Sequence, residues 1–226
     1  MILAVVGGKG GVGKSTAAYN LAAELDAVVV DGDLAMADLP TGRGPDLHDV
    51  LAGRASPLEA VREDGPVALL PCGRSLPGVR ACDPTALVEA VERVADEYGR
   101  VVIDCPAGMS GDVGLALLVA TACVLVTVPA PAALGDALRT RALARELDAG
   151  LAAIALNRAT ADAPTDVVAR QLGGPVTIVP DSDAVATAQS NGQPVVTVAP
   201  RTAAADAFAE LADTVVRATA QRRPPR

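Results

Sequence analysis

Apolar residues along this chain fall in short continuous runs and do not alternate with polar ones. The runs cover residues 2–6, 27–31, 66–70, 100–104, 122–128, 151–156 and 175–179, each dominated by Val, Ile, Leu or Ala. Such runs suit strands that are buried on both faces. Between them lie Ala-rich stretches with helical periodicity at 14–25, 84–98, 135–147, 164–172 and 202–220. Strands alternating with helices predict βαβ units: an α/β, three-layer domain with a mostly parallel β-sheet and helices on both faces. Right-handed crossovers then carry the loops that follow the strands to one sheet edge, where open α/β sheets bind ligands. Asp31, Asp33, Asp104, Pro129 and Asn157 all stand at or just after predicted strand ends, so that edge is where they are expected.

Two stretches, 38–46 and 72–83, are rich in Gly, Pro and Arg and break the periodicity, so they are expected to be mobile loops. His48, between them, is expected on a surface helix and is given no role. No repeat and no second domain emerge. Residues 1–220 read as a single domain, and 221–226 as a flexible, basic, Pro-containing tail.

Composition narrows the picture. Half of the 226 residues are hydrophobic, yet Tyr19, Tyr98 and Phe208 are the entire aromatic set, so the core must be built from Ala, Val, Leu and Ile. The length allows one well-buried domain. A net charge of −8 argues against nucleic-acid binding by the body of the protein. Cys72, Cys82, Cys105 and Cys123 show neither a CxxC nor a Cys/His spacing, which argues against a zinc site or a disulfide framework. With no leader-like start and no run of ~20 apolar residues, the expected location is cytoplasmic.

The basic residues carry more information. Of the nineteen Lys and Arg residues only Lys9 and Lys14 are lysine, and both stand in one glycine-rich loop. A planar guanidinium cannot replace a compact ammonium among phosphate oxygens. That loop, Gly8-Lys9-Gly10-Gly11-Val12-Gly13-Lys14-Ser15, matches GxxxxGK[ST] directly after a predicted strand and at the start of a helix. Its glycines allow backbone N–H groups to turn inward on an anion, and the helix N-terminus adds positive charge. Lys14 would bridge the β- and γ-phosphates of ATP, Ser15 would ligate Mg²⁺, and Thr16 would reach the α-phosphate. Asp104, closing the run Val101-Val102-Ile103, fits an acid that orients Mg²⁺, although an N-cap or turn Asp has the same spacing. Asp31-Gly32-Asp33 could support the metal and orient an attacking water, or serve only as a turn.

These motifs together resemble the MinD/ParA family of deviant Walker A ATPases. Lys9 stands where that family has its extra lysine. The segment from Asp31 to Leu39 resembles its first switch, and Asp104-Cys105-Pro106-Ala107-Gly108 resembles its second, in the form typical of the MinD branch. Val126-Thr127-Val128-Pro129 with Asp136, Leu156-Asn157-Arg158, Val179-Pro180-Asp181 and the segment from Ser190 to Val195 follow in MinD-like order. The likeness runs from Ile2 to about Val216.

The resemblance implies that Lys9 crosses a dimer interface to the partner's phosphates, with Asp136 near it. It implies that Asp33 positions the hydrolytic water while Asp31 and Asp104 support Mg²⁺. Asn157, Arg158, Pro180 and Asp181 would enclose the adenine. Asp38 departs from the family, which commonly has Asn there. The C-terminus also departs: it lacks the bulky amphipathic helix of membrane-cycling relatives, which argues against direct membrane binding, and Arg222, Arg223 and Arg226 are read as a solvated cluster. Cys105 is read as buried filler. The expected function is an ATP-dependent homodimerising switch that hydrolyses ATP and acts on a protein partner or activator. The alternatives are a maturation factor or ligase-type enzyme on the same fold, and a module that retains ATP without hydrolysing it.

Overall fold

The structure is a computed structural model that describes residues 1–35, 39–40 and 42–221. Asp38 and the arginines 222, 223 and 226 therefore lie outside the described residues. Seven strands form one sheet: β1 (Ile2–Val6), β2 (Val28–Asp31), β3 (Leu69–Leu70), β4 (Val101–Asp104), β5 (Ala122–Thr127), β6 (Gly150–Asn157) and β7 (Val176–Val179). Their order is β3-β2-β4-β1-β5-β6-β7, and every neighbouring pair is parallel. The expected parallel sheet is observed, although the third run yields only a two-residue strand, next to an antiparallel bridge between Arg62 and Leu69.

Eleven α-helices connect and flank the strands among the described residues. They are α1 (Lys14–Leu25), α2 (Leu47–Leu51), α3 (Pro57–Ala60), α4 (Leu76–Ala81), α5 (Leu87–Tyr98), α6 (Gly111–Val119), α7 (Pro131–Glu146), α8 (Thr165–Leu172), α9 (Asp183–Ser190), α10 (Val195–Val198) and α11 (Ala203–Gln221). Alternate strand residues feed opposite layers, because successive side chains point to opposite sides of the pleat. Ile2, Ala4 and Val6 join the layer built on α5, α6, α7 and α8. Leu3 and Val5 join the one built on α1 and α11, where Phe208 and Leu21 are buried. No helix among the described residues is long and apolar enough to cross a membrane.

Two sequence expectations need correcting. The stretch 72–83 is not an irregular loop throughout, because it contains α4, whose N-cap Ser75 accepts a hydrogen bond from Gly78 N at 3.1 Å. His48 lies on a helix, but it is 2% exposed and not on the surface. The N-cap Asp46 and Asp49 cap α2 reciprocally, and Leu47 N donates to Pro71 O at 2.8 Å, which holds α2 against the end of β3. The ring then fits because Gly73 and Gly78 lack side chains. A Cβ there would stand 2.4 and 2.6 Å from His48 Nδ1.

Candidate functional site

All the strands end on one edge, so the loop after β1 meets the last residues of β2, β4 and β6. In that loop Gly11 and Gly13 take φ of 75° and 97°, a region closed to most side chains, which allows neighbouring amides to face inward. Gly13 caps α1 with no side-chain hydrogen bond, and the first turn carries no acid. The first-turn N–H groups are thus left to an anion. Lys14, the first helical residue, is only 8% exposed, and its stem lies over Gly7, where a Cβ would come 3.2 Å from Lys14 Cδ. Lys9, Gly10 and Gly11 form the exposed tip. This is a cradle shaped for phosphates, with one ammonium inside it and one outside.

The loop is clamped from two sides. A Cβ on Gly8 would stand 2.3 Å from Asp136 O at the start of α7, and a Cβ on Gly13 would stand 2.2 Å from Asn157 Nδ2. Asn157 Nδ2 donates to Val12 O at 2.8 Å and Arg158 Nη1 to Gly11 O at 3.2 Å. The resemblance put Asp136 near Lys9; its backbone stands against Gly8, and its carboxylate pairs with Arg139.

The acids converge as their strand-end positions predicted. Asp31 and Asp104 are register partners, and they are 0% and 1% exposed. Gly32 N donates to Asp104 O at 2.9 Å, with no room for a Cβ between them. Asp31 accepts from Asp33 N and Leu39 N, both at 3.4 Å, and Asp33 from Ala35 N at 3.3 Å. No cluster of three or more His, Cys, Asp or Glu side chains able to hold a metal occurs among the described residues. Two adjacent buried carboxylates and the Ser15 hydroxyl near the phosphate loop still fit Mg²⁺, which keeps several waters and shares phosphate oxygens. Cys105 is 1% exposed, and burial first, then the Asp104 charge, raises its thiol well above the usual range. It is filler, not a nucleophile.

Arg158, Pro180 and Asp181 line an open cavity of about 600 Å³ together with Ile178 and Glu210. Asn157 is not among the lining residues; its amide nitrogen faces the phosphate loop. Arg158 itself sits at φ 52°, a strained conformation for a residue with a Cβ. A second cavity of about 260 Å³ opens beside Ser15 and Thr16 and is lined also by Tyr19, Arg74 and Gln189. Here Thr16 Oγ1 donates to Gln189 Oε1 at 2.8 Å, a contact across 173 positions that no local motif announces. Burial, and secondly the Asp33 charge, push the Asp112 carboxyl above the usual range.

A family model described as the CobQ/CobB/MinD/ParA nucleotide binding domain matches residues 3–195. An uncharacterized ATP-binding protein of Methanocaldococcus jannaschii is 33% identical over 226 residues, covering 93% of this chain and 85% of that protein. The cell division ATPase MinD of Pyrococcus furiosus superposes with a TM-score of 0.88 at 31% identity, covering 96% of this chain and 98% of that one. The septum site-determining protein MinD of Pyrococcus horikoshii, solved as its Mg-ADP complex, gives 0.88 at 29% identity, covering 99% of both chains.

Proposed function

Because the chain belongs to the CobQ/CobB/MinD/ParA family of nucleotide-binding domains, we propose that it is a slow, partner-stimulated ATPase that forms a homodimer when loaded with Mg²⁺ and ATP. The dimer is the form that engages a protein partner, and hydrolysis to ADP and phosphate releases it. The observation that carries this reading is the opposite placement of the two lysines: Lys14 is 8% exposed inside the phosphate cradle, while Lys9 is exposed at its tip.

Residues Gly8, Gly10, Gly11, Val12 and Gly13 offer backbone N–H groups to the phosphates, and Lys14 neutralises the β- and γ-oxygens. Ser15, Asp31 and Asp104 hold the cation. Mg²⁺, when bound, supplies positive charge that offsets what develops on the phosphoryl oxygens. Asp33 orients the attacking water. Lys9 reaches the other subunit's γ-phosphate, so the charge that completes the site arrives only with a second ATP-loaded copy. Asn157 braces the phosphate loop, while Arg158, Pro180 and Asp181 border the base. Cys72, Cys105 and Cys123 are buried, which leaves them unsuited to carrying a metal cluster between subunits and favours the switch over a maturation factor.

Light scattering should show a larger species with Mg-ATP and not with Mg-ADP. Lys9→Ala should bind nucleotide normally and lose hydrolysis by about 10³-fold. Identical elution with both nucleotides, or full activity in that variant, would refute the proposal.

A further inference from the structure

The one histidine of the chain is buried against the segment that carries Asp33. His48 is 2% exposed, and its Nε2 lies 3.0 Å from Leu34 O. A carbonyl only accepts, so this contact requires a proton on Nε2. Nδ1 has no hydrogen-bond partner among the described residues, and Gly73 and Gly78 close over it. Leaving that atom unpaired in the interior is costly, and an apolar side chain would fill the same space without the cost. What an apolar side chain could not supply is the bond to Leu34.

Leu34 follows Asp33 directly. The segment 31–35 leaves β2 at Asp31 and is tied at its start by the β2–β4 pairing and by Gly32 N, which donates to Asp104 O at 2.9 Å. Asp33 N and Ala35 N add long bonds of 3.4 and 3.3 Å to the carboxylates of Asp31 and Asp33 themselves. Those carboxylates are the groups that bind or orient ligands in the proposed cycle. His48 therefore supplies a hold that does not depend on them. It is itself fixed by the α2 capping box, by Leu47 N on Pro71 O, and by Cys82 Sγ donating to His48 O at 3.7 Å.

We propose that His48 is a positioning residue that fixes, through the Leu34 carbonyl, where Asp33 stands. The inference rests on the role given to Asp33 above. A reactive Cys–His pair is the competing use of the same atoms, since Cys72 Sγ lies 3.3 Å from Nε2. Burial, and then the charges of Asp31 and Asp46, push the Cys72 thiol up, so it stays protonated and is no nucleophile.

Two variants test this in the full-length protein. His48→Leu keeps the volume and removes the donor; His48→Gln restores an N–H near the place of Nε2. His48→Leu should lower kcat for ATP by about tenfold, with KM and ADP affinity within about twofold, and His48→Gln should recover most of the loss. Deuterium uptake over residues 31–35 without nucleotide should rise about tenfold in His48→Leu and stay near wild type in His48→Gln. In the wild-type protein, isotope-labelled imidazole should report the Nε2-protonated tautomer. The proposal is overturned if both variants behave alike, if binding falls in step with turnover, if uptake is unchanged, or if Nδ1 carries the proton. Absence of hydrolysis in the wild type would refute the proposed ATPase, yet the exchange and imidazole measurements would still decide the role of His48.

Discussion

Replacing Gly13 by Ala should destabilise the protein through a contact that can be isolated. The backbone there has φ 97°, which costs a residue with a Cβ about 1–2 kcal/mol. The new methyl would also stand 2.2 Å from Asn157 Nδ2, so the amide must move off Val12 O, its partner at 2.8 Å. Val12 is 3% exposed, so water does not readily replace that bond, whose net loss is about 0.5–1.5 kcal/mol. Together the two effects amount to about 1.5–3.5 kcal/mol, or a fall of about 3–14 °C in Tm for a chain of this size. The assay is denaturation without nucleotide of wild type, Gly13→Ala, Asn157→Ala and the double variant. With Asn157 already truncated, Gly13→Ala should cost only the backbone part, leaving a coupling of about 0.5–1.5 kcal/mol. Single costs that add to within about 0.3 kcal/mol would show that Asn157 does not press on this loop.

The same reasoning separates two other glycines. Gly8→Ala must push back Asp136 backbone 2.3 Å away, whereas Gly10 has nothing within 4 Å, so thermal melts should show a loss of at least about 2 kcal/mol for the first and under about 0.5 for the second. Phe208, 2% exposed between α11 and the sheet, should cost about 3–5 kcal/mol when cut to Ala, read from the shift in denaturant midpoint. Tyr98 donates to Glu63 at 2.7 Å, and this bond, with burial next, pushes its phenol up to about 12. Because the folded phenol holds its proton more tightly than the unfolded one, stability is retained below pH ~10 and lost as pH rises through about 12. Spectrophotometric titration of Glu63→Gln should bring Tyr98 ionisation down, and an unchanged curve would remove the assigned cause.

Much of the site was legible because its signals are local. A glycine-rich loop between a strand and a helix needs only neighbouring residues to form an anion cradle. Asp31 and Asp104 each close an apolar run, and a parallel sheet must bring such strand ends to one edge. What stayed hidden depends on register and on distant packing. The amide of Asn157 reaches Val12, 145 positions away, because β6 ends beside the phosphate loop. His48 reads as a surface residue, because nothing in its own segment shows that Gly73 and Gly78 leave room for its ring.

The sequence by itself therefore determined the parallel α/β plan, the phosphate loop and the edge on which the acids meet, since these follow from short-range periodicity and backbone geometry. Only the tertiary structure decided that Asp136 pairs with Arg139, that Asn157 braces the loop and that His48 holds Leu34. Such contacts depend on how strands slide into register and how helices settle on them, and that is a property of the whole packed chain.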